Sequence, residues 1–110
     1  MTFLCLNSDK MGEGDQELGK KLLVSFLKNL AKSDIQIDII GCVNSGVFLT
    51  TAENPALKHL RTLEEKGAQI ASCITCLEHY NLKNNLLIGG IGTMEQSVQM
   101  MATADRVIKP

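Results

Sequence analysis

Gln69-Ile70-Ala71-Ser72-Cys73, running straight into Ile74-Thr75-Cys76-Leu77-Glu78-His79-Tyr80, is the stretch on which the reading of this sequence turns. The first five residues have the length and apolar content of a short strand. Thr75 is a residue type suited to a helix N-cap, and Leu77 to Tyr80 supply a first helical turn. A strand feeding a helix is the repeating unit of an α/β protein. Two thiols lie one turn apart at this junction, and Cys76 falls near the expected helix start, where unpaired N–H groups favour thiolate over thiol.

The same alternation extends in both directions. Phe3 to Leu6 predicts a first strand, followed by a helix with Asp15 as N-cap and Leu18, Leu22, Leu23, Phe26, Leu27 and Leu30 on its buried face. Gln36 to Val43 predicts the second strand, closed by the turn Asn44-Ser45-Gly46. Asn54-Pro55 predicts an N-cap and first helical residue ahead of Leu57, Leu60 and Leu63, with Gly67 ending that helix. After the thiols, Leu86-Leu87-Ile88 reads as a short buried strand ending in the glycine turn Gly89-Gly90-Ile91-Gly92. Thr93 with Gln96 has the pattern of a capping box, opening a helix through Val98 and Met101, and Arg106-Val107-Ile108 closes the chain as an edge strand.

These elements predict a doubly wound α/β fold, a mainly parallel sheet of about five strands with helices on both faces. In such sheets ligands bind beyond the carboxyl ends of the strands. The candidate site is therefore Cys76 and Cys73, lined by Gly12, Gly14, Asn44, Ser45, Gly46, Thr75, Gly89 and Gly90. Gly, Asn and Ser there suit close backbone approach to a ligand or a sulfur anion, although they also simply make turns. Cys5 and Cys42 lie inside apolar strands and read as core. His79, three residues beyond Cys76, is placed to steady a thiolate or to be an ordinary solvated histidine.

The chain has 110 residues, room for one compact domain over 1–110, with 11 Lys+Arg against 12 Asp+Glu, a net charge of -1, no Trp, one Tyr and three Phe. Neither the charge nor the stacking surface for nucleic acid is present. No apolar run approaches membrane-spanning length and the N-terminal apolar run is too short for a leader, so the expectation is a cytoplasmic protein, not bound to membrane, with reduced thiols.

Other chemistries fit less well. Gly12, Gly14 and Gly19 miss the dinucleotide spacing, and Glu13 and Asp15 would repel a pyrophosphate. One C-x-x-C with His79 gives at most three zinc ligands in a short turn, so neither metal nor cofactor is expected. A dithiol/disulfide redox protein using Cys73 and Cys76 stays open. So does a non-catalytic binding subunit that docks a partner through Val47-Phe48-Leu49, a segment without an evident pattern to bury it within the chain and therefore expected to support self-association.

Met11-Gly12-Glu13-Gly14-Asp15 with Leu18-Gly19, then Val43-Asn44-Ser45-Gly46-Val47, Leu63-Glu64, Cys73-Ile74-Thr75-Cys76-Leu77 and Ala104-Asp105-Arg106-Val107-Ile108 together resemble the DsrE-like domain of the selenium-metabolism sulfurtransferase-like proteins of the YedF type. The resemblance covers nearly the whole chain. It implies a fold related to the sulfur-relay subunits of the DsrE and TusD kind, in which a cysteine carries sulfur as a persulfide. By position that cysteine is Cys76, with Cys73 the other thiol of the pair. Sulfur donor and acceptor proteins are the implied partners, and homo-oligomers the implied assembly. Proteins of the selenium-linked type usually carry an N-terminal TusA-like domain with a Cys-Pro motif, whereas this sequence starts at the DsrE-like half. A stand-alone protein or a fragment is therefore expected.

Overall fold

The computed structural model describes residues 1–110. Five strands form one sheet in the order β4-β3-β2-β1-β5, with every neighbouring pair parallel. They are β1 (Thr2–Leu6), β2 (Ile39–Cys42), β3 (Gln69–Cys73), β4 (Gly90–Gly92) and β5 (Arg106–Ile108). The helices are α1 (Gln16–Lys32), α2 (Phe48–Thr51), α3 (Leu57–Glu65), α4 (Ile74–His79) and α5 (Met94–Thr103), and a 3₁₀ turn over Asn44–Val47 leads into α2.

The strand order dictates where the helices lie. From β1 to β4 the chain steps in one direction, so right-handed crossovers put α1 to α4 on one face of the sheet. Leu23, Leu27 and Leu30 of α1, Leu57, Leu60 and Leu63 of α3 and Leu77 of α4 accordingly join Leu4, Leu6, Ile40 and Ile70 in a single buried cluster. The last connection runs back across the whole sheet to β5, which sends α5 to the opposite face. That face has only this one helix over it. Ten residues of α5 reach about 15 Å, against about 19 Å between the edge strands, and none of them is buried.

Several local expectations hold for identifiable reasons. Asp15 caps α1 by accepting from the Leu18 N–H at 2.8 Å. Thr93 and Gln96 form the reciprocal capping box, with hydrogen bonds of 3.0 and 3.2 Å. Gly67, at φ +111, takes the left-handed position after α3 that residues with a Cβ rarely adopt.

Other expectations are corrected. Leu18 and Leu22 are 53% and 44% exposed, because the packed stripe of α1 runs through Leu23, Leu27, Leu30 and Ala31. α3 begins at Leu57, since Asn54 turns its carboxamide oxygen onto the Ala56 N–H at 2.9 Å and makes a turn ahead of the helix. β2 is shorter than predicted, Ile39–Cys42. Leu86-Leu87-Ile88 is a loop whose Ile88 seals the core, and the strand is the glycine segment after it. Val47 and Leu49 are buried, at 0% and 5% exposure, and Phe48 packs on the core. The coil from the 3₁₀ turn into α2 rotates these side chains inward, so the segment is no docking patch.

Candidate functional site

Cys73 is the last residue of β3 and the N-cap of α4, which starts one residue after it at Ile74. Thr75, predicted to be the N-cap, is instead inside the helix. Cys73 consequently keeps the extended backbone of the strand (φ -63, ψ 125), while Cys76 sits a turn further along. Strand alternation sends Cys73 to the same face as Ala71 and Gln69, away from the main core. It is 5% exposed; Cys76 is half-exposed. All four cysteines are free thiols.

Cys76 is reached from a distant part of the chain. The Asn44 backbone N–H donates to its sulfur at 3.1 Å. Asn44 holds a left-handed conformation, φ 52, which asparagine tolerates better than most residues. Tyr80, on the turn that ends α4, donates its hydroxyl to Asn44 Oδ1 at 2.9 Å and rests its ring on Phe48 with centroids 4.7 Å apart. Behind Asn44, Gly46 lies so close to the end of β1 that a Cβ would stand 2.0 Å from the Leu6 carbonyl oxygen. Ser45 Oγ accepts from the Asp9 N–H at 3.3 Å, tying this turn to the loop after β1.

The two thiols of the pair differ in acidity. Burial pushes the Cys73 thiol up, but hydrogen bonds to its sulfur from the backbone and side chains of Cys76 and Thr75 together bring it below the ordinary thiol range. Cys76, expected from its place near the helix start to be the thiolate, is instead held above that range by burial and by the neighbouring Cys73 sulfur, against the lowering effect of the Asn44 N–H, because Cys73 is the residue at the helix N-cap. Cys42 is pushed up to about 12 by burial, and burial raises Cys5 as well. The inert core thiols and the two at the strand end are thus chemically separate. Nowhere do three or more His, Cys, Asp or Glu side chains converge as a metal ion would require, and His79 turns its ring edge-on to Tyr80 at 5.1 Å.

The structure brings Asn44 and Thr75 to the cysteine pair, keeps Ser45 and Gly46 in the turn behind Asn44, puts Gly90 in the wall of one cleft with Cys73, and leaves Gly12, Gly14 and Gly89 apart. Gly12 and Gly14 line a separate depression with Lys10, Glu13, Asp15 and Gln16, beyond β1. Gly89 precedes β4, whose first residue Gly90 pairs with Ala71 and whose last, Gly92, stands beside Cys73. Residues that the sequence did not mark as part of a site are Tyr80, which orients Asn44, and Thr93, Gln96 and Ser97, which with Cys73 border a cleft of about 250 Å³ between the sheet and α5. The capping box was the one sequence signal pointing at that helix start.

Known proteins bear on this arrangement at two levels. Residues 11–110 match the DsrE/DsrF-like family. In fold, the chain is similar to the ychN protein from E. coli, with TM-score 0.67 and 15% identity over 99% of this chain and 97% of that one. It is also similar to MTH1491 from Methanobacterium thermoautotrophicum, a protein of unknown function, with TM-score 0.70 and 16% identity over 99% and 97%. A search of the curated proteins found no match.

Proposed function

This chain belongs to the DsrE/DsrF-like family, and from that membership we propose that it carries sulfane sulfur as a persulfide on Cys76 and passes it to an acceptor thiol. The observation that carries the reading is the setting of Cys76, half-exposed at the carboxyl end of the sheet with the Asn44 N–H aimed at its sulfur. In loading, the Cys76 thiolate attacks the outer sulfur of a donor persulfide, and the donor leaves as a thiolate. A persulfide is more acidic than a thiol, so the anionic outer sulfur forms readily and is served by the same N–H donor. Donor and acceptor are proteins in this reading, working in a soluble compartment taken to be the cytoplasm. No helix of the chain is long and apolar enough to cross a membrane.

Intact-mass measurement after incubation with a sulfane-sulfur donor, with and without reductant, tests the proposal. Wild type should gain one sulfur atom that reductant removes, and Cys76→Ser should gain none. Uptake by Cys76→Ser equal to wild type would sink it.

A second reading, dithiol/disulfide exchange, is favoured by the unequal acidity of Cys73 and Cys76 one turn apart. It requires both thiols for turnover of a disulfide substrate, whereas sulfur uptake by Cys76 needs only one. Self-association also belongs to the proposal, with a second copy of the chain as the partner. Met94, Val98 and Met101 are exposed on α5 at helical spacing, beside exposed Ile91. Light scattering at rising concentration would report a dimer or larger, and Val98→Lys should shift it towards monomer.

A further inference from the structure

In a doubly wound sheet the ligand crevice lies where two adjacent strands send their connections to opposite faces. Here that point is between β3, which leads into α4 on the core face, and β4, which leads into α5 on the other. Cys73 ends β3 directly beside Gly92 of β4. The cleft that opens there, about 250 Å³, is bordered by Cys73 and by Phe3, Ala71, Gln96, Ser97 and Met100, and Cys76 is not part of its wall. No Lys, Arg, Asp or Glu lines it. Its volume is below that of most drug-sized ligand pockets, which suits a molecule of a few heavy atoms.

We propose that the sulfane sulfur moves inside the chain from Cys76 to Cys73 and is held in the cleft under α5, where a small uncharged thiol takes it as a second acceptor beside the protein that Cys76 serves. The step rests on Cys76 being the point of entry. The Cys73 thiolate attacks the outer sulfur of the Cys76 persulfide, a new S–S bond forms on Cys73, and the old S–S bond breaks with Cys76 leaving as thiolate. Cys76 takes up the proton that Cys73 gave up, so one thiol and one persulfide become one persulfide and one thiol. No oxidant or reductant is consumed. Burial of Cys73 beside half-exposed Cys76 makes the transfer a move from the surface into a walled space. The acceptor is then selected by the cleft: a charged thiol entering it would lose hydration without a counter-charge to replace it.

The test loads wild type, Cys73→Ser and Cys76→Ser with inorganic polysulfide, quenches by alkylation and locates the added sulfur by tandem mass spectrometry. The expected result is sulfur on Cys73 in wild type, on Cys76 in Cys73→Ser, and none on Cys76→Ser. Sulfur found only on Cys76 in wild type, or Cys76→Ser loading Cys73 as fast as wild type does, overturns the internal transfer. Failure of every cysteine to take up sulfur would instead defeat the carrier reading itself. Discharge provides the second readout. Wild type should lose its sulfur to 2-mercaptoethanol far faster than to the dianionic mercaptosuccinate, after correction for their rates with a free cysteine persulfide, and Cys73→Ser should lose that preference. Ser97→Leu, on exposed α5 and harmless to the main core, should crowd the cleft and leave the sulfur on Cys76. Equal discharge by both thiols in wild type would remove the cleft from the proposal.

Discussion

The hydroxyls of Thr50 and Ser72 meet at 2.7 Å in the interior, one on α2 and the other on the strand that carries Cys73. Thr50 Oγ1 also donates to the Val47 carbonyl at 3.0 Å, so Ser72 is the donor of the pair and both hydroxyls are satisfied. This bond fixes the segment bearing Asn44 against β3. Thr50→Val should cost about 1–3 kcal/mol, because the fully buried Ser72 hydroxyl is then orphaned. Ser72→Ala should cost less, and the double variant less than the sum. Urea unfolding of the three variants checks the order.

Gly46 admits no side chain. A methyl group would have to displace the end of β1 or the 3₁₀ turn, and Gly46→Ala is expected to destabilise by about 4 kcal/mol or more. A variant unfolding at the wild-type denaturant midpoint would contradict the packing described.

Tyr80→Phe removes the hydroxyl that holds Asn44 and leaves the ring packing on Phe48 in place. With Asn44 less constrained, its N–H stabilises the Cys76 thiolate less, so the Cys76 pKa should rise. The measurement is the pH dependence of Cys76 alkylation in a Cys73→Ser background, with the profile displaced to higher pH by the substitution.

Thiol labelling should divide the four cysteines into two classes. A small neutral alkylating reagent at mildly acid pH should modify Cys73 ahead of an ordinary thiol, whereas a bulky one should favour the more exposed Cys76. Cys5 and Cys42, the latter with its pKa pushed to about 12, should stay unmodified until the protein unfolds. Peptide mapping distinguishes these sites.

His59 has its pKa lowered, first by burial and then by Lys58, Lys28 and Lys32. A folded-state value below the unfolded one means that folding favours the neutral ring. The contribution is present above the unfolded pKa of about 6.5 and is lost as pH falls through the lowered value. Thermal melts from neutral pH to pH 5 should show a smaller decline for His59→Gln than for wild type.

The alternation of strand and helix was legible because each apolar stripe had its own terminators, such as Asp15 ahead of α1 and Gly67 after α3. The Thr93–Gln96 box was legible for the same reason, being entirely local. β4 was misplaced by its own neighbours: Leu86 and Ile88 carry the apolar signal but pack from a loop, whereas Gly90-Ile91-Gly92 forms the strand with hardly any side chains. The cysteine pair stood out in the sequence. Its surroundings did not, because the Asn44 N–H reaches Cys76 across 32 residues and depends on how the 3₁₀ turn seats against β1. The cleft was invisible for a topological reason, since it follows from a single helix having to cover a whole sheet face.

That return of the chain across the sheet also sets an order of events on the ribosome. β1 to β4 and the helices of the inner core are all synthesised before α5 and β5, at about 5–20 residues per second. Without α5 and β5, Phe3, Ile39 and Ala71 would look out onto water and the outer edge of β1 would have no neighbour. A chain cut before residue 94 would therefore present a bare sheet face and an open strand edge together, a combination prone to aggregate, so α5 and β5 serve as the cover that keeps the inner strands from pairing with other chains.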